Sequence, residues 1–424
     1  MFMCFGIKAH SQVTGGYTPY SIYGIGDLSS PGSAYHKTMG GVGIASRNNR
    51  HINIINPAAV TARDSLSMMI DVSLYSDNKI FSQGGLKSSS NIVNINDLVI
   101  SFPILRKSTG FMVGIMPYSD TGFGYSTSVD DPSLIGHTGN ISFSATGKGS
   151  IYKGFLGAGV DLWKRLSLGA QADFYFGKVE KNYLTKFSDN SFNGVTSDVI
   201  MNVSGFGGKF GLQYEQPIGS SIVLGLGATY TLGSNLRGTV ENGTYSSGSE
   251  SSDTLSHSLV NLGANSRIKI ANEVGAGISL KYADRLTVEF DYTRADWRNS
   301  GINDIQGLSI NGGMFQTAVA DSYRLGLEYV PNRSDIRYYM KQVSYRAGAY
   351  YKNEYYICNG QNISAKGITI GATFPVFRWS NGITVGADFG QRSSLRNDLV
   401  KEFYFNFSLG FNLYDIWFQK SEYK

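Results

Sequence analysis

The chain has 424 residues, including 52 glycines, 27 tyrosines and 24 phenylalanines but only 9 prolines, and its net charge is +5. That length fits one large β-domain or two or three smaller ones, and the glycine- and aromatic-rich, proline-poor balance favours β-structure with small inward side chains. No run of about 18 apolar residues occurs, which excludes a transmembrane helix, and the slight basic excess forms no block or stripe that would mark nucleic acid as a partner.

Residues 1–11 (MFMCFGIKAHS) read as the remnant of a secretory signal, with Ala9-His10-Ser11 ahead of Gln12 fitting a small-x-small cleavage rule. Cleavage there removes Cys4 and leaves Cys358 without an intrachain partner. Residues 12–64 show no alternation and are rich in Gly, Tyr, Ser and Asn. A segment of that length without strands cannot cross lipid, because its backbone groups would be unpaired there. It is expected in the lumen of a barrel, as a plug entering from the periplasm.

From residue 65 onward the chain alternates. Near the end, Phe403, Phe405, Phe407, Leu409, Phe411 and Leu413 are apolar, and Tyr404, Asn406, Ser408, Gly410 and Asn412 lie between them. A period of two is the side-chain period of a strand, so one face is greasy and the other largely polar. Short connections at 106–108, 163–165, 216–220, 283–285, 332–342 and 377–381 alternate with long polar ones. The long ones fall at 76–91, 126–139, 189–200, 246–254, 298–317, 356–362 and 393–401. Short periplasmic turns and long external loops are the rhythm of a bacterial outer-membrane barrel. The expected fold is therefore all-β, an antiparallel transmembrane β-barrel of about fourteen strands over residues 65–418, with a periplasmic tail at 419–424.

Details follow from phase. In 286–292 the lipid side is Leu286, Val288, Phe290 and Tyr292, and the lumen side is Thr287, Glu289 and Asp291. In 140–162 the apolar residues move from odd to even positions, so a bulge is expected within 147–154. Pro117 falls inside the third strand, where it has no N–H for the ladder. Tyr75, Tyr125, Tyr245, Tyr282, Trp297, Trp379 and Trp417 sit near strand ends as interface anchors.

Gly40-Gly41-Val42-Gly43-Ile44-Ala45, followed by Asn56-Pro57-Ala58-Ala59 ahead of the first strand, resembles the N-terminal hatch of the FadL family of outer-membrane transport proteins. Gly114 to Ser119 and Asp415 to Phe418 are similar to that family as well. The resemblance implies a fourteen-stranded barrel with an N-terminal plug and passive uptake of hydrophobic, fatty-acid-like molecules. It also implies a hatch motif at Gly40, Gly41, Gly43, Asn56, Pro57 and Ala58, and a lateral exit where the third strand kinks, for which Pro117 is the candidate. Many assignable inward positions are polar or glycine, not the apolar lining a hydrophobic ligand needs. The loop side chains Ile302, Ile305, Leu308, Ile310, Met314 and Phe315 offer either an entry groove or a protein contact. Some members of the family serve as barrel subunits of secretion or protein-assembly machines. Two readings stay open: a hatch-gated channel, and a structural or interaction barrel with a protein partner. Membrane lipids surround the barrel in both.

No cofactor, metal or catalytic centre is expected. His10, His36, His51, His137 and His257 have no metal-ligand spacing. His257 lies between Ser256 and Ser258, but adjacency alone supplies no nucleophile–base–orienter geometry.

Overall fold

A computed structural model describes residues 16–64, 67–103, 109–129, 139–163, 165–189, 191–247, 252–263, 267–308, 315–376, 381–394 and 399–416. The proposed signal remnant, the tail at 419–424, Trp379, Trp417, Ile310 and Met314 lie outside these residues. The strands, in chain order, are β1 (Asp27–Leu28), β2 (Ser67–Gln83), β3 (Leu86–Pro103), β4 (Thr109–Asp120), β5 (Phe123–Val129), β6 (Ile141–Trp163) and β7 (Leu166–Phe187). There follow β8 (Gly194–Ile218), β9 (Ile222–Leu232), β10 (Asn235–Ser247), β11 (Ser252–Leu262), β12 (Ile268–Lys269), β13 (Glu273–Tyr282) and β14 (Leu286–Asp296). The last are β15 (Phe315–Thr317), β16 (Val319–Tyr329), β17 (Ser344–Cys358), β18 (Gln361–Pro375), β19 (Gly382–Ser393) and β20 (Lys401–Ile416).

The wall is a closed antiparallel barrel of 14 strands. It runs β2, β3, β4, β6, β7, β8, β9, β13, β14, β16, β17, β18, β19, β20, and it closes where β20 pairs with β2, from Ser67↔Ile416 to Ser82↔Lys401. Alternation sets which side chains meet lipid. Phe403, Phe405, Phe407, Phe411 and Leu413 are exposed on the outside, and Tyr404, Asn406, Ser408 and Asn412 between them are buried. On β14, Phe290 faces out and Glu289 and Asp291 are buried inside, as the phase of the sequence requires. A belt of exposed Phe, Leu, Ile and Val around a polar interior is the architecture of an outer-membrane barrel.

Three expectations are corrected. First, β6 pairs with β7 in one continuous register from Ile141↔Phe187 to Asp161↔Ser167, so β6 itself carries no extra residue within 147–154; the register shift opposite that stretch lies in β4, between Pro117 and Ser119. Odd-numbered residues point inward along the whole strand: Ala145, Gly147, Ile151, Phe155 and Gly157 are buried, while Leu156, Val160 and Leu162 are exposed. The apolar phase changes because the environment does. Above the membrane the apolar side chains pack inward; within it they face lipid.

Second, two of the expected long loops, 76–91 and 356–362, are strand up to a tight turn. β2 and β3 continue through 76–91 to a turn at Gly84-Gly85, both with positive φ, and β17 and β18 meet at Asn359-Gly360. Third, the stretches 221–245 and 255–282, each expected as a single strand between neighbouring connections, are both divided. β9 and β13 pair directly in the wall, and the chain between them forms β10 and β11 on the upper half of β8. The strand count survives because this excursion leaves the wall and returns to the same place.

Candidate functional site in the barrel interior

The N-terminal segment, residues 16–64, meets inward positions around the circumference. A Cβ built on Gly110 would lie 2.2 Å from the Val60 carbonyl oxygen, and one on Gly169 2.3 Å from the Ala58 nitrogen. On Gly227 it would meet Ile44, on Gly348 Gly40, and on Gly410 Ala34. These glycines lie on β4, β7, β9, β17 and β20, so contact with all of them places the segment on the inner side of the wall. Small inward residues let two backbones approach closely.

The motif residues make the attachment. Gly40 and Gly41 adopt positive φ, 71° and 81°, which favours glycine. The turn they form presents the Gly43 and Ile44 N–H groups to Asp291 Oδ2, at 2.7 and 2.9 Å. Asn56 accepts from the Ala58 N–H at 3.0 Å and so caps the 3-10 turn Pro57–Ala62, where proline occupies the first position and needs no donor. Asn56 Nδ2 also donates to the Ile44 carbonyl at 2.7 Å, and Gln213 Nε2 donates to Ile44 and Ser46 carbonyls at 3.0 Å each.

Charge pairs fix the segment at both ends. Towards the periplasmic turns, Arg47 lies 3.1 Å from Asp161 and 3.3 Å from Glu215. Towards the outside, Arg392 meets Asp27 at 2.9 Å, Glu354 at 3.1 Å and Glu402 at 3.5 Å, all of them buried or nearly so. Burial works against ionisation of Asp27, but Arg392 and then Lys79 outweigh it and hold the carboxyl below its usual range.

Two buried histidines sit between these anchors. His36 Nδ1 receives the Ser33 N–H at 3.3 Å, and His51 stacks on Tyr35 with ring centroids 4.1 Å apart. Burial pushes the His36 imidazole down to about 3, with Arg346 acting in the same direction, and burial holds His51 well below the ordinary value. Folded-state values below the unfolded one of about 6.5 mean that the folded chain binds fewer protons. The neutral-imidazole contribution is therefore complete above about 6.5 and is lost as pH falls towards 3. Protease cleavage within residues 16–64 is expected to rise several-fold between roughly pH 7 and pH 4, and a H36Q/H51Q pair should flatten that rise.

An apolar core closes the outer end. Tyr20 and Ile25 of the segment pack with Ile151, Tyr175, Trp297, Tyr355 and Tyr356 of the wall extensions. The loop residues Ile302, Ile305, Leu308 and Phe315 are buried in the same cluster, each 3% exposed or less. Phe315 stacks on Tyr23 at 5.2 Å, and the Gly24 N–H donates to the Leu308 carbonyl at 3.0 Å. These side chains are therefore not a free entry groove or contact surface: the wall and the segment already cover them. Under this roof lies a space of about 220 Å³ whose lining includes Lys153, Asp173, Lys209, Glu273, Asp291 and Arg324.

Pro117 lies within β4 at a register shift between Pro117 and Ser119 against β6. β3 and β4 pair only from Leu98↔Ile115 to Pro103↔Gly110. Beyond that point β4 takes β1 of the N-terminal segment as its neighbour, with Asp27↔Asp120 and Leu28↔Ser119. The strands part there, and a space of about 100 Å³ behind the parting is lined by Lys37, Asp77, Lys79, Asp120, Asp388 and Arg392, among others. His257 pairs with Glu241 at 2.8 Å on an exposed face, and among the described residues no serine hydroxyl is bonded to it.

A closed barrel of fourteen antiparallel strands with an apolar outer belt matches the fold of FadL-type barrels. The chain belongs to the BamG family, whose model matches residues 1–424. Among solved structures it is similar to the Ralstonia pickettii toluene transporter TbuX, at 14% identity over 90% of this chain and 98% of that one, TM-score 0.61. It is similar also to the Pseudomonas putida toluene transporter TodX, at 16% identity over 93% and 100%, TM-score 0.61. A Pseudomonas aeruginosa FadL homologue gives 11% identity over 92% and 98%, TM-score 0.56. At these identities the likeness is one of fold. No curated protein matches the sequence.

Proposed function

We propose that the protein is a plugged barrel that works as a partner-binding subunit of an outer-membrane protein-assembly complex. The observation that carries this is the state of the interior. Residues 16–64 are held by charge pairs at both ends, the outer mouth is filled by an apolar core, and the spaces left are lined by charged side chains as well as apolar ones. A hydrophobic cargo needs an apolar, water-poor path, and desolvating these charges for it is costly. Membership of the BamG family supports the assembly role. Residues 12–64 act as the plug, and the barrel supplies a rigid wall for the partner.

A second reading keeps one specific support. β3 and β4 part beside Pro117, and the toluene transporters TbuX and TodX share the fold. On that reading the plug shifts and a small hydrophobic molecule leaves through the parting. The two separate in reconstituted vesicles. Uptake of labelled toluene or a long-chain fatty acid no faster than through protein-free vesicles supports the plugged subunit. Uptake at least ten-fold faster, abolished by a disulfide between segment and wall, overturns it.

A further inference from the structure

We propose that the connection between β16 and β17 is an interfacial anchor, which seats in the headgroup layer of the periplasmic leaflet and takes an anionic phospholipid. The inference goes beyond the partner-binding reading and does not depend on it. Within this connection Ile336 is 95% exposed, Met340 57% and Tyr338 54%. None of the three lies on a strand, so the apolar belt of the wall does not account for them. Apolar side chains exposed together mark a contact surface.

The connection is not slack chain. The Asn332 N–H donates to the Lys341 carbonyl at 2.9 Å and closes its base. Asp335 Oδ1 accepts the N–H groups of Arg337 and Tyr338 at 3.0 and 2.8 Å, and its Oδ2 lies 3.2 Å from Lys341 Nζ. That same ammonium sits 4.5 Å above the Tyr338 ring. The exposed side chains are displayed from a fixed backbone, so little further ordering opposes their burial.

The level of the connection points to what covers it. Tyr329 pairs with Tyr345 on one side and with Leu286 on the other, and Leu286 pairs with Tyr282. The three tyrosines are exposed at the periplasmic ends of their strands, at one height. An aromatic girdle in that position meets headgroups. The connection is tied to this rim from its outer side. Tyr345 Oη donates to the Met340 carbonyl at 3.1 Å, and Tyr339 Oη donates to the Pro375 carbonyl, at the end of β18, at 2.9 Å. Met340 is thereby held beside the headgroup level.

Charge names the headgroup. Residues 332–342 carry three cations, Arg333, Arg337 and Lys341, and one acid, Asp335. Arg333 reaches Glu328 at 2.9 Å, and Asp335 is engaged within the loop. Arg337 and Lys341 stay on the exposed side, interleaved with Ile336, Tyr338 and Met340. Cations among aromatic and aliphatic side chains suit the interface of an anionic membrane, where the apolar groups sink and the cations meet phosphate.

The test uses the full chain in phospholipid vesicles, with a fluorescent amino acid at Ile336 or Met340. Ser220, exposed in the turn between β8 and β9, is the control. Quenching by brominated phospholipid is expected to be about five-fold stronger at 336 and 340 than at 220. Brominated phosphatidylglycerol should quench more than brominated phosphatidylethanolamine, and high salt or Arg337→Gln should shrink that preference. Arg337→Gln leaves the contact between Asp335 and Lys341 in place, and the salt series on the parent chain needs no variant. Quenching no stronger than at 220, or no preference for the anionic lipid, overturns the anchor. In the protein's own cells, a photo-crosslinking amino acid at Ile336 should yield phospholipid adducts. Adducts to one protein instead would overturn the anchor while supporting the partner-binding reading.

Discussion

Arg392→Met is expected to release the outer end of the N-terminal segment and to cost the folded barrel about 3–5 kcal/mol, the range for stripping the partner from a buried charge. The guanidinium serves three carboxylates, those of Glu354 and Glu402, which are buried, and that of Asp27, which is nearly so. Lys79 cannot replace it, since it lies 3.9 Å from Asp27 and is engaged by Asp77 at 2.8 Å. Methionine keeps much of the volume and removes the charge, so the effect reports electrostatics and not a cavity. Arg392→Lys should recover part of the loss, because lysine restores the charge but not the fork that reaches three partners. Urea-induced unfolding in detergent micelles, followed by protease protection of residues 16–64, measures it. A loss below about 1 kcal/mol, the scale of an exposed pair, would mean that the cluster does not hold the segment.

Gly169→Leu should lift the segment from the opposite side. A Cβ at Gly169 would fall 2.3 Å from both the Ala58 nitrogen and the Pro57 carbonyl carbon, which are backbone atoms with no rotamer to yield. Overpacking of this kind costs about 1–3 kcal/mol. Here it is expected to disrupt the Asn56 cap and the Pro57–Ala62 turn. Cleavage within residues 47–64 should quicken by about ten-fold, and single-channel recordings in planar bilayers should show conductance that the parent lacks. Gly154→Leu is the matched control, because a Cβ there meets nothing closer than 4.0 Å. Equal behaviour of the two variants would show that the segment does not depend on the wall glycines.

The wall was legible from the sequence because lipid imposes a period of two on every strand that crosses it. The same rule misled at β6, where Ile141, Phe143 and Ala145 break phase with Leu156 and Val160. Outside the membrane the apolar partner of a strand is the protein's own interior, so a single strand reads as if it had slipped. The polar stretch 76–91 looked like a loop for a related reason. Above the membrane neither face of a hairpin needs to be apolar, and only Gly84-Gly85 marks the turn.

In the interior, alternation showed which side chains face the lumen, Glu289 and Asp291 among them, but not which groups meet. The pairing of Asp291 with the N–H groups of Gly43 and Ile44, or of Arg47 with Asp161, joins residues over a hundred positions apart. Nothing local in the sequence encodes those contacts. The motif Gly40 to Ala45 and Asn56 to Ala58 was visible as a pattern, and its glycine turn and Asn cap give that pattern a physical cause. Ile302, Ile305, Leu308 and Phe315 were visible as apolar and were misplaced, because their cover comes from distant residues such as Tyr20, Tyr355 and Tyr356.

Native mass spectrometry of the protein, extracted in mild detergent from its own membrane, tests the central claim most directly. The account predicts a stoichiometric protein partner and no hydrophobic small molecule in the lumen. A barrel that flies alone and carries a bound lipid-like ligand would contradict it.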